Sequence, residues 1–167
     1  MKEDIISFQQ IYKQYSGDVY RFSYWLSGNA GDANDITSDT FARVWMAETE
    51  LRIESVKAYL FAIARNLWLQ EKRRTKKFAE LDETLFDPKE QPDIATEQRQ
   101  ELEAVRLALQ SLPEIDRTIF ILRFDEQLSH EEIAQATGLS IGNVKVRLFR
   151  ARKKLSTLIS LNQGASL

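Results

Sequence analysis

An all-α chain built as two small helical domains on a flexible acidic tether is the fold class this sequence predicts, on three observations. Only six Gly and three Pro occur among its 167 residues. Apolar residues recur at three- and four-residue spacing over long stretches, and no segment alternates convincingly as a strand. A chain of this length accommodates one ordinary domain or two small ones.

Each element can be justified in turn. Phe8, Ile11, Tyr12, Tyr15, Val19, Phe22 and Leu26 share one stripe of a first helix, so that stripe is expected to be buried. The stretch SGNAGD breaks it. Asp32 is then the expected cap of a second helix, with Asp35 three residues on. Ile36, Thr37, Phe41, Val44 and Trp45 mark its inward side, and Asp35, Ser38 and Asp39 its polar side. A third helix is expected from Ser55 to about Lys77, burying Val56, Leu60, Ile63, Ala64 and Leu67.

Residues 78–97 contain two of the three prolines, Pro88 and Pro92, lack an apolar period and carry seven acids against Lys89 alone. They read as a linker between domains at 1–77 and 98–167. Fully extended, its twenty residues could span about 66 Å. Beyond it, Leu102, Val105, Leu109 and Leu112 form another helical stripe, and Pro113 suits the first turn of a helix running through Ile119, Ile121 and Leu122.

Composition excludes several function classes. With no Cys there is no disulfide, thiolate nucleophile or Cys-based zinc site, and one His cannot build a multi-histidine metal cluster. No metal or cofactor is expected, and a reducing cytoplasm is the natural location. The longest apolar runs are far short of the roughly 20 residues that cross a bilayer, and the start MKEDIISFQQ has no apolar run behind its charge. Neither membrane insertion nor secretion is expected.

The net charge of −2 says little, but its distribution says more. Arg65 to Lys77 holds six basic residues against Glu71, and Ser140 to the end holds six with no acid. Two cationic stretches therefore flank the acidic one.

The second of them lies in LSHEEIAQATGLSIGNVKVRLFRARKKL. Ser129 and Glu132 have capping-box spacing, Ile133 and Ala136 face inward, Gly138 permits a tight turn, and Ser140 caps a second helix. Val144, Leu148, Ala151 and Leu155 form its buried stripe, leaving Asn143, Arg147, Arg150 and Lys154 in a row with Lys145 and Arg152 beside it. This is the layout of a helix-turn-helix. Ser140, Asn143 and Arg147, near the helix start, are candidates for base edges, and Arg150 and Lys154 for phosphates.

On the helix VKAYLFAIARNLWLQEKRRTKK, one face carries Phe61, Arg65, Trp68, Lys72 and Lys76, with Ala62, Asn66, Leu69, Arg73 and Lys77 beside it. Rings interleaved with cations suit melted single strands, whose bases stack while their phosphates follow the basic groups. The alternative is that Phe61 and Trp68 are core and only the lysines are exposed.

These motifs together resemble the extracytoplasmic-function group of bacterial RNA polymerase sigma factors, the small type with only the second and fourth sigma regions. DITSDTFARVW is similar to the group's polymerase-clamp-binding helix, VKAYLFAIARNLWLQEKRR to its promoter-melting helix, and the helix-turn-helix to its minus-thirty-five reader. The resemblance spans nearly the whole chain in the same order. It implies a subunit that binds core RNA polymerase through clamp and flap, recognises promoter DNA and helps open it, commonly under restraint by an anti-sigma factor.

Carried over position by position, the resemblance puts Asp35 and Phe41, with Ser38 where Gln is usual and Asp39 beside it, on the polymerase-binding helix. Arg65 and Asn66 match the group's Arg-Asn pair at the minus-ten surface, with Gln70 where Asp is usual and Tyr59 where Trp is common. Lys145 and Arg147 match in the reader helix, while Asn143 and Val146 replace Thr and Ser. A pocket for an extruded base is implied at about residues 48–55, and the linker is expected to thread a polymerase channel.

The competing reading is a stand-alone helix-turn-helix regulator with an N-terminal sensor or dimerisation domain. A sensor has no need of Arg65, Asn66, Trp68, Lys72 and Arg73 on one helix. An enzyme is not expected: His130 lies in a capping sequence beside Glu131 and Glu132, and no phosphate-cradling Gly loop or catalytic Ser elbow is present.

Overall fold

The structure, a computed structural model, describes residues 5–47, 51–52, 56–79 and 96–165. Its element order is β1 (Ile5–Ile6), α1 (Phe8–Ser27), α2 (Ala30–Ala47), β2 (Leu51–Arg52), α3 (Val56–Ala79), α4 (Thr96–Gln110), α5 (Glu114–Phe124), α6 (His130–Thr137) and α7 (Ile141–Ala165). The chain divides into two units, Met1–Gln91 and Pro92–Leu167. Most of the expected linker lies outside the described residues, although α3 continues to Ala79 and α4 already begins at Thr96. Among the described residues no helix is long and apolar enough to cross a membrane.

In the first unit, α1, α2 and α3 pack on one another. Ser7 opens α1 with a reciprocal capping box to Gln10, and Gly28 closes it at φ 74°, a left-handed conformation that costs glycine nothing sterically. Ile11, Tyr15, Val19, Phe22 and Leu26 are buried as the period requires. Tyr12 and Trp45, expected inside, are exposed instead, and Phe8 is half-buried. These rings pack along the end of the α1–α2 pair: Phe8 meets Trp45 edge-on at 4.9 Å, and Tyr12 meets Phe41 at 5.1 Å. The cap of α2 also differs from expectation. Asn29 Oδ1 accepts the backbone N–H of Asp32 at 3.0 Å, which places Asp32 inside the first turn, favourably for the helix dipole.

A two-residue antiparallel pairing, Ile5 with Arg52 and Ile6 with Leu51, ties the start of the chain to the segment before α3. At the centre, Phe22 and Phe61 are fully buried with ring centroids 4.9 Å apart. Such pairs contribute roughly 0.5–1.5 kcal/mol beyond area burial.

In the second unit, α7 packs against α4, α5 and α6. Ala108, Leu109 and Leu112 are buried, but Leu102 and Val105, expected on the same stripe, are exposed. Burial on α4 is confined to its C-terminal end, where its carbonyls receive a buried cation. Arg117 donates to the carbonyls of Leu109 at 2.9 Å, Gln110 at 3.4 Å and Leu112 at 3.1 Å. Leu109 and Gln110 are the last two residues of α4, where carbonyls run out of intrahelical partners, and Leu112 lies just beyond. Burial pushes the Arg117 guanidinium below its usual pKa, and the Glu114 charge opposes that shift.

Candidate nucleic-acid interface

The helix-turn-helix forms from local signals. Ser129 Oγ accepts the N–H of Glu132 at 3.1 Å while Glu132 Oε1 accepts the N–H of Ser129 at 3.0 Å, so both partners of the capping box are engaged. Gly138 ends α6 at φ 76°. A Cβ added there would meet nothing within 4 Å, so a substitution is opposed by backbone strain alone. Ser140 Oγ then accepts the N–H of Asn143 at 3.1 Å to start α7.

Val144, Leu148, Ala151 and Leu155 are buried on α7, as the period requires. At about 100° per residue they centre roughly 110° from Asn143, so the middle of the exposed arc lies about 290° from it. Val146, Phe149 and Lys153 occupy that middle. Asn143, Arg147, Arg150 and Lys154 form one flank, and Lys145 and Arg152 the other.

Both flanks touch the body of the unit. Arg147 Nη1 donates to Asp116 Oδ1 at 2.9 Å, Lys154 Nζ donates to the Ser111 carbonyl at 3.2 Å, and the Arg152 guanidinium lies 5.3 Å from the Phe124 ring centre. Asn143, Lys145, Arg150 and Lys154 remain exposed, and Arg147 is half-buried. Phe149, at 71% exposure, was absent from the sequence-derived site. Its position off the apolar stripe was the available signal. Thymine methyl groups are the natural contacts for apolar side chains in a major groove.

The α3 surface requires a correction. Phe61 is 1% exposed and belongs to the core against Phe22, so it is not a DNA contact. Trp68, 8% exposed, is also turned inward, with its Nε1 lacking a hydrogen-bond partner among the described residues. The Lys72 ammonium lies 5.5 Å from its ring centre. Neither ring is a stacking platform in this conformation. What α3 does expose is Asn66, Lys72, Arg73, Arg74 and Lys76, with Arg65 half-buried. No residue from Leu69 to Lys76 is buried, and Gln70, Glu71 and Arg74 of this half face α2 across an open pocket.

On α2, Asp35, Ser38 and Asp39 are exposed together, as the polar row requires. Phe41 is not: 3% exposed and packed on Tyr12, it supports this helix from beneath and is corrected to a core position. An open pocket between α2 and α3 is lined by the acids Asp32, Asp35, Asp39 and Glu71 together with Arg43 and Arg74, among other residues. Gln70 accepts a long hydrogen bond, 3.5 Å, from Arg43. The implied base pocket at residues 48–55 lies outside the described residues apart from Leu51–Arg52. Among the described residues no cluster of three or more His, Cys, Asp or Glu could hold a metal.

Two family models match the chain, sigma-70 region 2 over residues 11–78 and sigma-70 region 4 over residues 102–155. Among curated relatives, the ECF RNA polymerase sigma factor SigE of Mycolicibacterium smegmatis is 34% identical over 89% of this chain, which spans 60% of that protein. RNA polymerase sigma factor SigV of Bacillus subtilis is 33% identical over 81% of each chain. Among solved structures, the sigma factor RpoE in complex with the anti-sigma factor NepR from Bartonella quintana superposes with a TM-score of 0.80 at 26% identity, covering 96% of this chain and 98% of that one.

Proposed function

The chain belongs to the extracytoplasmic-function RNA polymerase sigma factors, and from that premise we propose how its two units divide promoter recognition. A sigma factor is a non-enzymatic initiation subunit: it binds core RNA polymerase and promoter DNA, and the bond-making chemistry is the polymerase's.

The domain division is 1–77 for polymerase and minus-ten binding, 78–97 as acidic linker and 98–167 for minus-thirty-five binding. Asp35, Ser38 and Asp39 of α2 meet a basic partner surface on the polymerase clamp. Arg65, Asn66, Lys72 and Arg73 of α3 follow the separated strands at the minus-ten element, with Trp68 behind them. Ser140, Asn143, Lys145, Arg147, Arg150 and Lys154 of α7 hold the upstream duplex, with Val146 and Phe149 between the two cationic flanks. The work takes place in the cytoplasm, and an anti-sigma factor covers these surfaces when the protein is held inactive.

One observation carries this reading over a stand-alone regulator. Each unit exposes its own cationic helix, and a sensor or dimerisation domain has no use for the exposed cations of α3. The experiment is association with purified bacterial core polymerase followed by run-off transcription. Binding to core and start-site-specific transcripts are expected. Arg65→Ala is expected to impair opening more than association. Specific duplex binding by the free protein, without core association, would favour the regulator.

A further inference from the structure

The recognition surface contains an acid that phosphate binding does not call for. Asp116, in the first turn of α5, accepts from Arg147 Nη1 at 2.9 Å, while Arg147 Nε donates to Asn143 Oδ1 at 3.1 Å. The Asp116 side chain retains 15% exposure and that of Arg147 33%. A carboxylate beside the duplex opposes the phosphate neutralisation that drives DNA binding. Asp116 shares the first turn of α5 with Glu114, whose Oε1 accepts from Thr118 at 2.9 Å; both acids suit the helix dipole, but that role does not require Asp116 to meet Arg147. The pair is partly buried and links α5 to α7, so its contribution to stability is separated from any role in reading DNA by the thermal-stability arm of the test below.

What the pair does accomplish is orientation. Arginine has a long, rotamer-rich side chain, and reading a base edge requires its planar fork to point one way. Anchors on two helices, Asn143 one turn earlier on α7 and Asp116 on α5, hold the guanidinium by two of its three nitrogens, Nε and Nη1.

We propose that Asp116 is a specificity-determining positioning residue: without touching DNA, it acts with Asn143 to hold Arg147 in the orientation that reads a base pair. The inference rests on the helix-turn-helix reading above.

The test uses holoenzyme reconstituted from the full chain and bacterial core polymerase, with a duplex library randomised across the upstream element and the bound sequences read out. Arg147→Ala should abolish preference at one position. Asp116→Ala should relax preference at that same position by about tenfold, the scale of one base contact, and Asp116→Asn by less. Other positions should keep wild-type preference, while binding to unrelated duplex DNA should hold or rise because a negative charge is gone. Asp116→Glu should restore part of the preference.

Unchanged preference in Asp116→Ala, or an Arg147→Ala protein that alters no single position, would overturn the proposal. So would loss at every position together with lowered thermal stability, which marks a structural role. A wild-type holoenzyme that selects no upstream sequence would instead overturn the promoter-reading function itself.

Discussion

In α3 the rings set among the cations turn inward, with Phe61 and Trp68 in the bundle, whereas in α7 Phe149 stands out among Lys145, Arg150 and Lys153. Both segments interleave aromatic and basic residues. The difference is register against the neighbours: Phe61 and Trp68 fall on the arc that also holds Leu60 and Ala64, while Phe149 falls off the Val144–Leu148–Ala151–Leu155 stripe. The α3 surface therefore presents mainly charge, and the α7 surface combines charge with an apolar centre. In the division proposed above, phosphate contacts along separated strands call for charge, whereas reading a duplex calls for shape and methyl contacts as well.

The largest expected effect tests this contrast directly. Phe61→Ala should destabilise the first unit by about 3–5 kcal/mol, whereas Phe149→Ala should change stability by no more than about 0.5 kcal/mol and weaken upstream-duplex binding. Denaturant unfolding beside a duplex-binding titration measures both. Comparable stability losses would erase the inside-outside difference.

Next in size is Arg117→Ala, which strips the α4 carbonyls of a charged donor and should cost about 3 kcal/mol. Unfolding followed in the second unit would show it, and an unperturbed midpoint would mean that the carbonyls find other partners. Arg147→Ala should weaken upstream-element binding by about 1–3 kcal/mol. A neutral result in a promoter-binding assay would remove Arg147 from the reader and leave the exposed centre of α7 to supply specificity. The smallest change is Ser129→Ala, which loses the capping box and should lower stability by about 1 kcal/mol. Amide exchange at the start of α6 would locate that loss, and unchanged protection would argue against the cap.

Much of the molecule was legible beforehand because its signals are local. The α7 stripe, the Ser129–Glu132 box and the left-handed Gly138 are properties of a few neighbouring residues, and each forms as its spacing requires. Trp45, Tyr12, Leu102 and Val105 were misplaced for one shared reason. A helical period fixes which residues lie on one side of a helix, but not how far along its length a neighbour extends to cover them. The site residues divide the same way: the row on α7 and the acids on α2 followed from spacing, whereas the burial of Phe41 and Phe61 depended on which helix lay opposite.

The sequence by itself determined the helices, the caps of α6 and α7, the two cationic stretches and the order of the family's motifs, since period, capping chemistry and charge are short-range. Only the tertiary structure decided that Arg117 would cap α4, that Asp116 would meet Arg147 31 residues away, and that two rings on α3 would face the core. Those outcomes arise where separate helices meet, because packing selects among faces that local periodicity leaves equivalent.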